Sequence, residues 1–208
     1  MPRNSEISRR KIMKVAEKIF AQKGFDGARV DEIAKTAGVN KALIYYYFKS
    51  KSMILDEIFK DFVNEATELI YKYFDEDIEL NEPEFMNQVF DIYMEYLESR
   101  KDTLKIMLTE SLKSGDEAPP LFSFVEASLN HEADSIIKSM KQKGYNIADQ
   151  KDQIKVTEFF TSFMPVISYI VFRDKWCRFF GVSKEQLKNM FFEAYKATHI
   201  SHHITQHP

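Results

Sequence analysis

Residues 29–51, RVDEIAKTAGVNKALIYYYFKSK, gather the side chains of this chain best suited to recognition chemistry. Lys41 can reach the acceptors on a guanine edge, while tyrosine hydroxyls and the free amides of a helix N-terminus bind phosphate oxygens. Such groups need a rigid mount, and the surrounding pattern supplies one. Val30, Ile33, Ala34 and Ala37 recur at i, i+3, i+4 and i+7, so one face of a first short helix is apolar, and Gly38 stands where that helix needs a left-handed stop. Asn40 can cap a second helix that turns Lys41, Ala42, Tyr45 and Tyr46 outward and leans Leu43, Ile44 and Phe48 on the first. This is a helix-turn-helix whose second helix is proportioned for the major groove. Three consecutive tyrosines cannot share a face at about 3.6 residues per turn, so one of Tyr45, Tyr46 and Tyr47 is expected to pack.

The formal net charge of the 208 residues is -3, which on its face disfavours a polyanionic partner. Its distribution reverses the inference. Residues 1–51 hold 12 Lys and Arg against 5 Asp and Glu, or +7, and residues 52–208 hold 17 against 27, or -10. A basic head on an acidic body lets the head approach nucleic acid while the body is held off it.

With 44% apolar residues the chain can bury a real core. The single cysteine, Cys177, excludes an internal disulfide and a Cys-based zinc site and fits a reducing cytoplasm. No apolar stretch resembling a signal peptide follows the N-terminus, so no export is expected. The apolar run 159–172 is shorter than the roughly 20 residues of a membrane span and reads as a buried helix.

Helical periodicity runs throughout, and an all-α fold of about nine helices is expected. A first helix, Ser5 to Lys23 and ended by Gly24, covers the helix-turn-helix. Ser50 caps a fourth helix, about 51–74, that connects a DNA-binding domain, 1–51, to a second domain, 52–208. Helices follow at Glu82–Arg100, Thr103–Lys113, Leu121–Lys143 and Asp149–Arg173, the last kinked at Pro165. Ser183 and Gln186 form a capping box for the final helix, after which the tail from His199 is expected to fray.

The stretch GFDGARVDEIAKTAGVNKALIYYYFKSK resembles the TetR family of bacterial transcription regulators. The matching residues are Gly24 and Phe25, Ile33 and Ala34, Ala37 to Val39, Lys41 to Ile44, Tyr45 to Phe48, and Lys49 and Lys51. They cover about a quarter of the chain. The resemblance implies that Asn40, Lys41, Ala42 and Tyr46 read bases and that Tyr45, Tyr47 and Lys51 hold phosphates. Arg29 and Leu43 stand where a threonine is common, so two hydroxyl contacts are lost, with Arg29 offering a guanidinium instead. It further implies a C-terminal ligand-binding domain and a homodimer joined through the last two long helices, about 150–173 and 183–198. There Phe159, Phe160, Phe163, Val166, Ile167, Ile170 and Phe191 provide more apolar surface than one intrachain face needs. Such a dimer presents two recognition helices about 34–36 Å apart, or somewhat more, to a near-palindromic operator.

Aromatic and thioether side chains outside the head fit an apolar pocket for a small organic inducer: Phe62, Phe90, Tyr93, Tyr96, Met107, Phe122, Phe124, Phe163 and Trp176. The acidic body favours a cationic lipophilic ligand, with an acyl chain as the alternative. A ligand that selects one spacing of the long helices tilts the heads away from operator geometry and releases a repressor. Two other readings compete: a DNA-binding regulator without a small-molecule ligand, constitutive or controlled by a protein, and a helical-bundle enzyme. The enzyme lacks sequence support, with no Gly-rich phosphate loop, no nucleophile motif and no Glu-x-x-His pair. His131 stands alone, and His199, His202 and His203 could share a helical face, but no metal or cofactor is expected.

Overall fold

Three glycines adopt left-handed φ, and they mark helix ends: Gly24 (φ 75), Gly38 (φ 64) and Gly181 (φ 70). The computed structural model describes residues 3–73, 83–115, 118–142 and 150–200, and the described secondary structure is helical. The N-terminal helices are α1 (Arg3–Gly27, with Gly24 non-helical inside it), α2 (Val30–Ala37), α3 (Lys41–Tyr47) and α4 (Lys51–Tyr73). Then come α5 (Pro83–Ser99), α6 (Lys101–Lys113) and α7 (Pro120–Gln142). A continuous α8 (Lys151–Phe180) and α9 (Lys184–Tyr195) complete nine helices among the described residues.

The head folds around residues placed by the periodicity noted above. Ile12, Ala16 and Phe20 of α1 meet Ile33 and Ala37 of α2, Ile44 of α3 and Phe48, all at most 1% exposed. Each large side chain among them contributes about 1.5–3 kcal/mol by leaving water. Ile54, Leu55 and Ile58 of α4 and Ile106 of α6 complete the same core. Polar ties reinforce it. Arg9 pairs with Glu57, Thr103 donates to Glu17, Lys105 donates to the Ala21 carbonyl, and Lys113 lies 3.0 Å from Asp26.

Because α4 and α6 share this core, residue 51 falls inside the first of two compact units, residues 1–124 and 125–208, which divide within α7. Farther along the first unit, Phe62 packs on Tyr96 (ring centroids 5.6 Å) and on Phe124 (4.6 Å).

In the second unit α8 departs from expectation in three ways. It continues beyond Arg173 to Phe180, since no breaker precedes Gly181. It carries a π-helical turn that the sequence pattern does not signal, Phe159–Phe163, just ahead of Pro165. Proline has no N–H to donate and its ring crowds the carbonyl four residues back, and the widened turn relieves that. At 30 residues, α8 is also long and apolar enough to cross a membrane by length and composition, although the 14-residue run inside it is not; 33% of its most apolar window is buried. Tyr169 stacks on Phe191 of α9 at 4.4 Å, and Ser162 bonds the Tyr195 hydroxyl at 2.7 Å.

The chain does not fray at His199. A second π-helical turn, Lys196–Ile200, follows α9 and buries His199, which bonds Thr161 (3.0 Å) and lies 3.4 Å from the Glu158 carboxylate. His202 and His203 lie outside the described residues, as does the His131 side chain. No group of three potential metal ligands comes together among the described residues.

Candidate nucleic-acid interface

α3 is mounted by two local devices. Gly38, left-handed at φ 64 and ψ 36, closes α2 and lets the Val39 N–H donate to the Ala34 carbonyl at 3.0 Å. Asn40 then starts α3, its side-chain oxygen accepting the Leu43 N–H at 2.7 Å. Its amide NH2 group remains to face an acceptor. With Ile44 and Phe48 turned into the core, Asn40, Lys41, Ala42, Tyr45 and Tyr46 form one solvent face, and Tyr46 is 78% exposed. Arg29 is exposed at the N-terminus of α2, its carbonyl accepting the Glu32 and Ile33 N–H groups at 3.1 Å. Lys35 and Lys49 are exposed as well.

Two residues assigned to phosphates from sequence sit differently. Tyr47 is the tyrosine that packs, half-buried against the head core with its ring 5.2 Å from that of Tyr46. Lys51 turns inward. Its ammonium donates to the carbonyls of Phe25 (2.7 Å), Ala28 (3.1 Å) and Asp26 (3.4 Å) and lies 4.4 Å from the Phe25 ring centre. The chain end of α1 leaves carbonyls without helical partners, and a cation is the natural cap for them. Sequence reading also missed Asp31, whose carboxylate lies 2.8 Å from the Lys41 ammonium. An acid in the first turn of α2 was the available signal, but it names no partner.

The residues assigned to a ligand differ in burial. Phe62, Met107 and Phe124 are at most 2% exposed, and the hydroxyl of Tyr96 donates to the Phe62 carbonyl at 2.7 Å. Burial, and secondarily the negative charge of Glu65, keep that phenol protonated well above its usual range. Phe90 and Tyr93 are half-buried, and Phe122 is exposed. Phe163 and Trp176 belong to the second unit, where Phe163 is buried and Trp176 exposed. A depression of about 200 Å³ lies between α1 and α6, lined by Phe20, Gly24, Lys105 and Glu110 among others.

The dimer residues divide as well. Phe163, Val166, Ile167 and Ile170 are already buried within the chain, Phe159 and Phe191 are half-buried, and Phe160 is 66% exposed. The exposed apolar surface is displaced toward the end of α8, where Phe172, Trp176, Phe179 (81% exposed) and Phe180 lie. The reason is periodicity: a helix apolar on more than one side presents several candidate faces, and packing selects which is covered.

A capped two-helix reader on a basic three-helix core, followed by a helical body, defines a helix-turn-helix DNA-binding regulator. The profile of the bacterial regulatory proteins, tetR family, matches residues 12–58. The HTH-type transcriptional repressor NicS of Pseudomonas putida is 26% identical over 158 residues, 74% of this chain and 70% of that protein. The IcaR negative regulator of the biofilm operon icaADBC in Staphylococcus aureus is 40% identical over 57 residues, 26% of this chain and 31% of that one. The latter match covers less than a third of its partner. Among solved structures, a TerR/AcrR-family regulator from Aquifex aeolicus aligns with TM-score 0.66 at 18% identity over 91% of this chain and 98% of that one. The hemolysin II regulator HlyIIR aligns with TM-score 0.60 at 20% identity over 94% and 98%. Residues 12–58 thus carry the DNA-binding segment of the tetR family of bacterial regulatory proteins, and the fold is that of the solved TetR-type regulators.

Proposed function

We propose that this protein is a cytoplasmic transcriptional repressor that binds a near-palindromic operator as a homodimer and leaves it when a small apolar or amphipathic ligand binds. The observation that carries the DNA-binding half is the exposed face of α3, with Asn40, Lys41, Ala42, Tyr45 and Tyr46 held on a buried core. Base reading falls to Lys41, Tyr46 and the Asn40 amide, with Ala42 allowing close approach. Phosphate contact falls to Tyr45, Arg29 and the exposed Lys35 and Lys49. Residues 1–51 act as the reading domain and 52–208 as the sensing and dimerising one.

The dimer reading is supported by the exposed aromatic side chains of α8, Phe160 and, toward its end, Phe172, Trp176 and Phe179. The second reading is a regulator without a small-molecule ligand, in which the buried Phe62, Met107 and Phe124, each at most 2% exposed, serve as core.

Selection of bound duplexes from a random pool by the full-length chain tests the central claim. Enrichment of a near-palindrome is expected, with Tyr46→Ala weakening that duplex far more than a scrambled one. Purely salt-dependent binding with no enriched sequence would defeat the reading. Native mass spectrometry of the purified chain separates the two modes of control: retained organic mass supports the ligand, and its absence supports the alternative.

A further inference from the structure

The first turn of α2 holds two acids, and each takes a cation from a neighbouring helix: Glu32 binds Lys23 of α1 at 2.6 Å, and Asp31 binds Lys41 of α3 at 2.8 Å. The second pair joins an acid to a cation on the reading face. Lys41 is the first residue of α3, the positive end of the helix dipole, where a cation is disfavoured, and no acid in α3's own first turn offsets it. Asp31 supplies that compensation from outside. Its hydrogen bond, and then its charge, raise the affinity of Lys41 for its proton. The side chains are 50% and 71% exposed, so the pair is screened by water and can be opened by a better partner.

We propose that Asp31 is a specificity-determining residue for operator binding, holding Lys41 neutralised on non-specific DNA and yielding it where a base edge offers paired acceptors. This rests on Lys41 being a base-reading residue. A phosphate oxygen offers Lys41 one anionic acceptor, much as Asp31 already does, and its approach is opposed by the Asp31 charge. A guanine edge offers O6 and N7 together, to a head already held in register by its other contacts. On non-specific duplex the neutral pair releases no counterion on its own account, so the lysine adds little affinity there. Discrimination of this kind comes from penalising the wrong partner.

Four full-length proteins test it: the parent, Asp31→Asn, Lys41→Met and the double variant. Each is titrated by fluorescence anisotropy on a scrambled duplex and on the duplex recovered by selection, between 50 and 200 mM salt. In the parent background Asp31→Asn should steepen the log–log salt dependence on scrambled DNA by about 0.9, the increment for one newly neutralised phosphate. It should tighten scrambled binding several-fold more than operator binding, so the specificity ratio falls. In the Lys41→Met background neither slope should move. An equal gain in both backgrounds overturns the proposal, because Asp31 then acts only through its own repulsion of phosphates. If Lys41→Met leaves operator affinity and base preference intact, the base-reading role of Lys41 is what fails. Both positions are exposed, so the head core is undisturbed by either change.

Discussion

Replacing Lys51 by Met separates a phosphate contact from a structural clamp. Two of the lysine's hydrogen bonds are of ordinary length, to the carbonyls of Phe25 (2.7 Å) and Ala28 (3.1 Å), and the third, to Asp26, is long at 3.4 Å. At about 0.5–1.5 kcal/mol for each good bond and about 0.5–1 kcal/mol for the Phe25 ring face, the clamp is worth about 2 kcal/mol after allowance for partial solvation. Lys51→Met should therefore lower the urea midpoint of the head, followed by the environment of its tyrosines. It should also weaken every DNA sequence by a similar factor, because the turn from α1 to α2 no longer holds the reader in one position. The salt dependence on scrambled duplex should stay parallel to that of the parent. A phosphate-binding lysine predicts the opposite: stability unchanged and the slope reduced by about 0.9. That second pattern would refute the clamp and return Lys51 to the DNA surface.

Gly38→Ala should cost about 1 kcal/mol of stability in urea titrations, since a Cβ is strained at φ 64 even though its nearest neighbour, the Lys11 ammonium, is 3.7 Å away. Trp176→Ser combined with Phe179→Asp should convert dimer to monomer in sedimentation velocity while leaving helicity intact. Ile170→Asp, at a site 1% exposed, should unfold the second unit instead, and the reverse outcome would put the interface on the buried face. Tyr96 titrates at higher pH in the folded chain than in the unfolded one, so the stability it contributes is full below about pH 10 and is lost as pH climbs above that. Tyr96→Phe should flatten this alkaline loss in urea midpoints taken between pH 8 and 11. An unchanged alkaline slope would mean that other groups cause it.

The devices readable from sequence were those closed within a few residues. The left-handed stop at Gly38, the Asn40 cap on Leu43, the Ser50 cap on Met53 and the Ser183–Gln186 capping box all join groups three to five positions apart, and all form as the local pattern predicts. So do the buried positions of α2 and α3, because a period of about 3.6 dictates which side chains share a face. Charge polarity was equally plain, being only a count along the chain. Assigning partners was another matter. Lys41 and Lys51 look alike in sequence, each a lysine beside the tyrosine run, yet one lies on the solvent face beside Asp31 and the other caps a turn 23 to 26 residues earlier. Which acceptor a long, flexible cation finds depends on which elements pack beside it. The same holds for Tyr47 against Tyr46, for His199 settled beside Glu158, and for the face of α8 left exposed. Sequence alone determined the helices, their caps and the reading motif, because those energies are local. Tertiary structure decided which cations remain for DNA and which aromatics remain for a partner, because those choices are competitions among groups far apart in the chain.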